Sequence, residues 1–122
     1  MKQLIFIMAI LCVGLITAQE KSKAKKVDIA VRGNCDMCKK RIEKAAYATK
    51  GVKMAEWHQD DEVLHLVINE HKTDIMSVQK NIAAVGHTTQ DVKATKAAYE
   101  KLHSCCQYEN PGSCSSKEKQ EQ

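Results

Sequence analysis

Two groups of cysteines carry most of the chemistry this chain could perform. The first lies in "GNCDMCKKRIEKA", residues 33–45, where Cys35 and Cys38 are three positions apart and Lys39, Lys40 and Arg41 follow. The second lies in "HSCCQYENPGSC", residues 103–114, which holds Cys105, Cys106 and Cys114 close to His103. A Cys-x-x-Cys pair can grip a metal ion, exchange electrons as a disulfide, or pin a fold. With the second cysteine inside a first helical turn, both sulfurs can aim at one point. The unpaired N–H groups and partial positive charge at the helix start favour thiolate, the metal-binding form. Two thiolates with no neighbouring carboxylate suit a soft ion of low coordination number. Cu(I) or Hg(II) therefore fits better than Zn(II), which usually takes four ligands. Any of Lys39, Lys40 and Arg41 that folded toward the loop would offset negative charge there.

Five of the six cysteines follow residue 18, an odd number. In an oxidising compartment one of them stays free, binds metal or pairs between molecules. Cys114 can close a small loop to Cys105 or Cys106, or His103, Cys105, Cys106 and Cys114 can form an accessory tetrahedral metal site. A lone redox-sensing or dimer-forming thiol is the third reading, and adjacent cysteines rarely bridge each other. Among the histidines, His65 is expected to face solvent from a strand, while His58 and His71 fall in turns without a partner at a metal-binding spacing. Trp57 is expected to pack against a sheet edge. No Ser/His/Asp set, phosphate-cradling glycine loop or paired carboxylate is discernible, and Asp60 and Asp61 sit in a polar turn. The expectation is not an enzyme.

The elements that must hold the first pair can be read from periodicity. Val27, Ile29 and Val31 alternate with polar residues as a half-buried strand ending at Gly33. From 36 to 50 the period becomes helical: Cys38, Ile42, Ala45, Ala46 and Thr49 share a face, Asn34 or Asp36 can cap the start, and Gly51 stands at the end. Residues 52–57 and 63–68 read as strands joined by the polar turn "HQDDE". A second helix spans 74–85 on Ile75, Val78, Ile82 and Val85, with Thr73 as its cap and Gly86 as its stop. "HTTQDVKA" supplies a short last strand. Strand, helix, strand, strand, helix, strand is the α+β, ferredoxin-like βαββαβ arrangement: a four-stranded antiparallel sheet with two helices on one face. A short helix through Ala98, Tyr99 and Leu102 and then a turn-rich, charged tail complete the chain.

Residues from about 27 to 93 resemble the heavy-metal-associated domain, shared by copper chaperones, periplasmic mercury-binding proteins and the metal-binding modules of transport ATPases. The resemblance rests on "GNCDMCKKRIEKA", on "KGV" at 50–52 and on "IAAVGH" at 82–87. It implies Cys35 and Cys38 as metal ligands, a soft ion as cargo with Cu(I) first and Hg(II) or Zn(II) as alternatives, and transfer by thiolate exchange. The implied partner is a metal-transporting ATPase or another thiol-bearing acceptor. The sequence departs from the family pattern twice. Gly33 occupies the place, two before the first cysteine, where the family usually has Met, so Met37 is expected to serve as the hydrophobic plug, with contact to the metal as the alternative. His87 replaces the usual Tyr, Phe or Lys, and it reads as a third ligand, a hydrogen-bond donor to a thiolate, or an exposed turn residue. The family cysteine pair could also serve a thiol–disulfide oxidoreductase, or stand empty in a binding module. Against the thioredoxin-type reading, the only proline is Pro111, in the tail.

Met1-Lys2, the apolar run 4–16 and "TAQ" have the form of an export signal. Thirteen apolar residues are short of the about 20 that a spanning helix needs. The expected organisation is a signal peptide at 1–18, a linker at 19–26, the heavy-metal-associated domain at 27–94, and a short helix with a Cys-containing, partly disordered tail at 95–122. The expected location is secreted or periplasmic, as a monomer without stable membrane insertion. A formal charge of +4 and 4% aromatic residues give no stripe or stacking platform for nucleic acid.

Overall fold

The structure is a computed structural model, and it describes residues 23–110. Three strands form one antiparallel sheet, β1 (Ala24–Ala30), β2 (Val52–His58) and β3 (Val63–Asn69), in the order β1-β3-β2. The register places Ile29 and Trp57 on either side of Leu64, and Val27 and Ala55 on either side of Leu66. These rows form the apolar face of the sheet. The alternate row, with Asp28 and Glu56 flanking His65, faces outward, and His65 Nδ1 lies 2.7 Å from an Asp28 carboxylate oxygen.

Helices α1 (Asp36–Tyr47) and α2 (Ile75–Ala84) pack together, and α1 also lies on β2. Cys38, Ile42, Ala45 and Ala46 are buried from α1, as are Val78, Ile82 and Ala83 from α2. Large side chains removed from water this way are each worth about 1.5–3 kcal/mol. Asp74, rather than Thr73, caps α2: its carboxylate accepts the Ser77 N–H at 2.7 Å. Cys35 itself is the N-cap of α1, with no side-chain cap bond, in place of Asn34 or Asp36.

Two boundaries differ from the sequence reading. Strand β1 begins at Ala24, inside the expected linker, because residues 24–26 continue the ladder opposite Val67, Ile68 and Asn69. The expected fourth strand is reduced, among the described residues, to an isolated bridge between Val31 and Thr89. The segment turns on itself instead. Thr89 N–H donates to the Val92 carbonyl, its hydroxyl bonds buried Gln79, and Asp91 N–H also donates to Gln79. Backbone groups spent in that turn cannot extend a ladder.

Beyond it come α3 (Lys96–Glu100) and a single 3-10 turn, Ser104–Cys106. These do not lead straight into a loose tail. Leu102, Cys106 and Tyr108 are buried in the main core. Gly86, at φ +101°, permits this close approach: a Cβ there would lie 2.8 Å from the Ala98 carbonyl and 2.9 Å from Leu102. The expected signal peptide, Cys114 and residues 111–122 lie outside the described residues. Among those described, no helix is long and apolar enough to cross a membrane.

Candidate metal centre

The loop between β1 and α1 is held from beneath by the β2–β3 turn. Glu62, itself at φ 55°, presents its carbonyl to Val31 N–H at 2.8 Å and its carboxylate to Gly33 N–H at 3.2 Å and to Arg32 Nε at 3.4 Å. Gln59 Nε2–H donates to the Asn34 carbonyl at 2.9 Å. Four consecutive residues ahead of Cys35 are thereby tied down.

Trp57 fills the floor. It is fully buried, and its indole N–H donates to the Val31 carbonyl at 3.0 Å. A Cβ on Gly33 would approach its ring to 2.8 and 2.9 Å and the Cys38 Cβ to 3.2 Å. The absence of a side chain at 33 is thus the counterpart of a large ring at 57. Trp57, on the edge strand β2 but with its ring turned into the core, is therefore the plug. Met37 is not the plug; it is 44% exposed. Its Sδ instead accepts from the Cys105 thiol at 3.5 Å.

Cys35 Sγ lies 3.6 Å from Cys38 Sγ, so the loop does converge the two sulfurs. The loop is less open than expected. Cys38 is fully buried and Cys35 is half-buried, because the C-terminal segment covers them. Cys35 Sγ is 3.5 Å from Cys105 Sγ and 3.8 Å from Cys106 Sγ. Cys35, Cys105 and Cys106 form a set of donors all within 4.8 Å of one another, and none of Cys35, Cys38, Cys105 and Cys106 is in a disulfide.

Their acidities diverge. Burial pushes the Cys35 thiol up, but the Cys38 N–H, the Cys105 and Cys38 thiols and the Met37 N–H outweigh it and leave Cys35 below the ordinary thiol range. Burial raises Cys38 above that range, opposed in part by the Asn34 backbone and the Cys106 thiol. For Cys106, burial and then the neighbouring Cys38 and Cys35 thiols push the group far up. Of Cys35, Cys38 and Cys106, only Cys35 has surroundings that favour thiolate, and a thiol that ligates a cation gives up its proton.

Lys39 does not fold over the loop: its Nζ bonds the Trp57 carbonyl and Glu43, both at 2.8 Å. His87 is neither exposed nor part of the close thiol set. It is fully buried, its Nδ1–H donates to the Arg32 carbonyl at 2.8 Å, and its ring stacks on Tyr108 with centroids 5.7 Å apart. Burial holds it at about 4, against an ordinary 6.5, with the nearby Arg41 charge adding to the effect and the Arg32 carbonyl opposing it. Its Nε2 is buried without a partner. His103 Nδ1 accepts the Cys105 N–H, so His103 serves as a cap to the 3-10 turn. Of the expected accessory set of His103, Cys105, Cys106 and Cys114, the two adjacent cysteines lie beside Cys35, and Cys114 lies outside the described residues. Glu62, Gln59, Trp57 and Tyr108 position the site without any local motif. Of these, the sequence reading singled out only Trp57, as packing against a sheet edge.

Solved structures share this architecture. The CopZ metallochaperone superposes with a TM-score of 0.52 at 20% identity, over 53% of this chain and 98% of its own. The fold is the heavy-metal-associated one. Oxidized MerP from Ralstonia metallidurans CH34 gives 0.53 at 20% identity, over 55% and 94% of the two chains. The water-soluble region of the P-type ATPase CopA from Bacillus subtilis gives 0.52 at 26% identity, over 56% of this chain and 46% of that one. No protein-family model matches the sequence, and no curated protein does.

Proposed function

We propose that this protein binds a soft metal ion, Cu(I) first, through Cys35 and Cys38, and carries or sequesters it outside the cytoplasm. The observation that carries the reading is the pair of sulfurs 3.6 Å apart at the start of α1, with Cys35 favouring thiolate, in a heavy-metal-associated fold. Thiolate is the ligand that selects Cu(I) over harder ions. Transfer would proceed by ligand exchange. An acceptor thiolate adds to the ion, a three-coordinate arrangement forms, and one original thiolate leaves with a proton from solvent. Half-buried Cys35 is the side from which an acceptor can approach. A metal-transporting ATPase with its own thiol-bearing domain is the partner this chemistry fits, and the match to the soluble region of the P-type ATPase CopA supports it. Export rests on the form of residues 1–18.

The test is titration of the reduced protein with Cu(I) under a competing chelator, read by native mass spectrometry, against Cys35→Ser/Cys38→Ser. Stoichiometric binding lost in the double variant supports the reading. Equal binding by both proteins removes it. A reducible Cys35–Cys38 disulfide without tight metal would instead indicate an oxidoreductase.

A further inference from the structure

The second cysteine pair is built into the first. We propose that Cys105 and Cys106 are ligands to the same ion as Cys35 and Cys38, so that the C-terminal segment closes the loop into a cage of four thiolates. This rests on the metal-binding reading above and changes its character, from a two-point grip to a closed holder.

The three edges that meet at Cys35 fit such a cage. A tetrahedral centre with metal–sulfur bonds of about 2.3 Å has sulfur–sulfur edges of about 3.8 Å. The separations from Cys35 to Cys105, Cys38 and Cys106 are 3.5, 3.6 and 3.8 Å. A linear two-coordinate ion would need its sulfurs about 4.5 Å apart at similar bond lengths, wider than the Cys35–Cys38 pair stands. Cys35, Cys105 and Cys106 already lie within 4.8 Å of one another, and the Cys38 sulfur, 3.6 Å from that of Cys35, must move in to complete the four.

The segment is also anchored as a ligand-bearing arm should be. The Tyr108 hydroxyl donates to the Gly86 carbonyl at 3.0 Å and accepts the Thr88 N–H at 3.1 Å, and Tyr99 packs edge-on against the Tyr108 ring. The Arg32 guanidinium lies over the same ring at 5.7 Å. Asn34 Nδ2–H and the Cys35 thiol both point to the Cys105 carbonyl, at 3.4 and 3.5 Å. The two new sulfurs are therefore positioned before any ion arrives, which removes most of the ordering cost of adding them.

Four thiolates fit a thiophilic cation of coordination number three or four. Such a set accepts Zn(II) as well as Cu(I), and it retains Cu(I) until the segment withdraws. Each ligating thiol yields its proton to solvent, so uptake releases protons. Met37, exposed and 3.5 Å from Cys105 Sγ, extends the sulfur surface outward from the half-buried side of the cage.

The experiment uses the full, reduced chain with Zn(II) and Cu(I) as probes. Wild type is compared with Cys105→Ser/Cys106→Ser and with Cys35→Ser/Cys38→Ser. Partners that merely orient ligands cost about 10–100-fold in metal affinity when removed, so loss of two direct ligands should weaken Cu(I) binding by more than about 100-fold. Zn(II) binding should disappear in the same variant. A second measurement, independent of how the variants fold, is alkylation of wild type with peptide mapping: one equivalent of Zn(II) should protect all four cysteines together. If Cys105→Ser/Cys106→Ser holds Cu(I) as tightly as wild type, and ion leaves Cys105 and Cys106 in wild type fully reactive, the cage is refuted while the grip by Cys35 and Cys38 stands. If Cys35→Ser/Cys38→Ser binds as wild type does, the cage and the proposed function both fall.

Discussion

Acidification should weaken this fold through one side chain, His87. The ring is fully buried and held at about 4, whereas an exposed histidine titrates near 6.5. Burial is the main cause, since a charged imidazolium there would lose its water and face Arg41. As pH falls below 6.5 the unfolded chain takes up a proton that the folded chain refuses, so the contribution to stability is complete above about 6.5 and is lost toward 4. Below that both states carry the proton and the loss levels off. A depression of this size corresponds to about 3 kcal/mol. Domains of this class have about 5–15 kcal/mol in total, so the loss is large. The assay is urea denaturation of the reduced protein from neutral pH to about pH 4, wild type against His87→Asn, which keeps an amide N–H for the Arg32 carbonyl and cannot titrate. Wild type should lose about 3 kcal/mol more than the variant across the window. Parallel pH profiles, or a His87 resonance titrating near 6.5, would refute the account.

Three further outcomes follow from the contacts. Gly33→Ala should destabilise by about 1–3 kcal/mol through collision with the Trp57 ring, and Trp57→Leu should relieve that specific loss, a coupling that a double-mutant cycle in denaturant measures. Tyr108→Phe should cost about 1–3 kcal/mol by stranding the Gly86 carbonyl and Thr88 N–H, and should raise hydrogen exchange in residues 99–108 ahead of the sheet. Timed alkylation of the metal-free reduced chain should modify half-buried Cys35 and Cys105 well before buried Cys38 and Cys106, with the order read by peptide mass spectrometry.

The sequence was most informative where one period ruled a whole element. Cys38, Ile42, Ala45, Ala46 and Thr49 were named as one helical face, and all five are buried, Thr49 just beyond the end of α1. The hairpin and the second helix were legible for the same reason. The fourth strand was not, because Gln79, ten residues upstream, draws Thr89 and Asp91 into a polar turn, and β propensity does not register such a partner. Gly33 was recognised as a departure, yet its complement was sought at neighbouring Met37 and found across the fold in Trp57. The destination of Cys105 and Cys106 was the least legible feature. Their docking is decided by Leu102 and Tyr108 finding the surface around Gly86, a contact between distant parts of the chain that no local pattern encodes.

The sulfurs of Cys35 and Cys105 meet although 70 positions separate them in the chain. An ion bridging them would work as a staple across nearly the whole described domain, since any opening that parts the first loop from the last turn must first tear it out. At a free ion concentration about a hundred times its dissociation constant, such a staple adds about 2.7 kcal/mol to the resistance against unfolding. Cargo and scaffold would then protect one another: a loaded molecule outlasts an empty one, and proteolytic lifetime becomes a readout of occupancy.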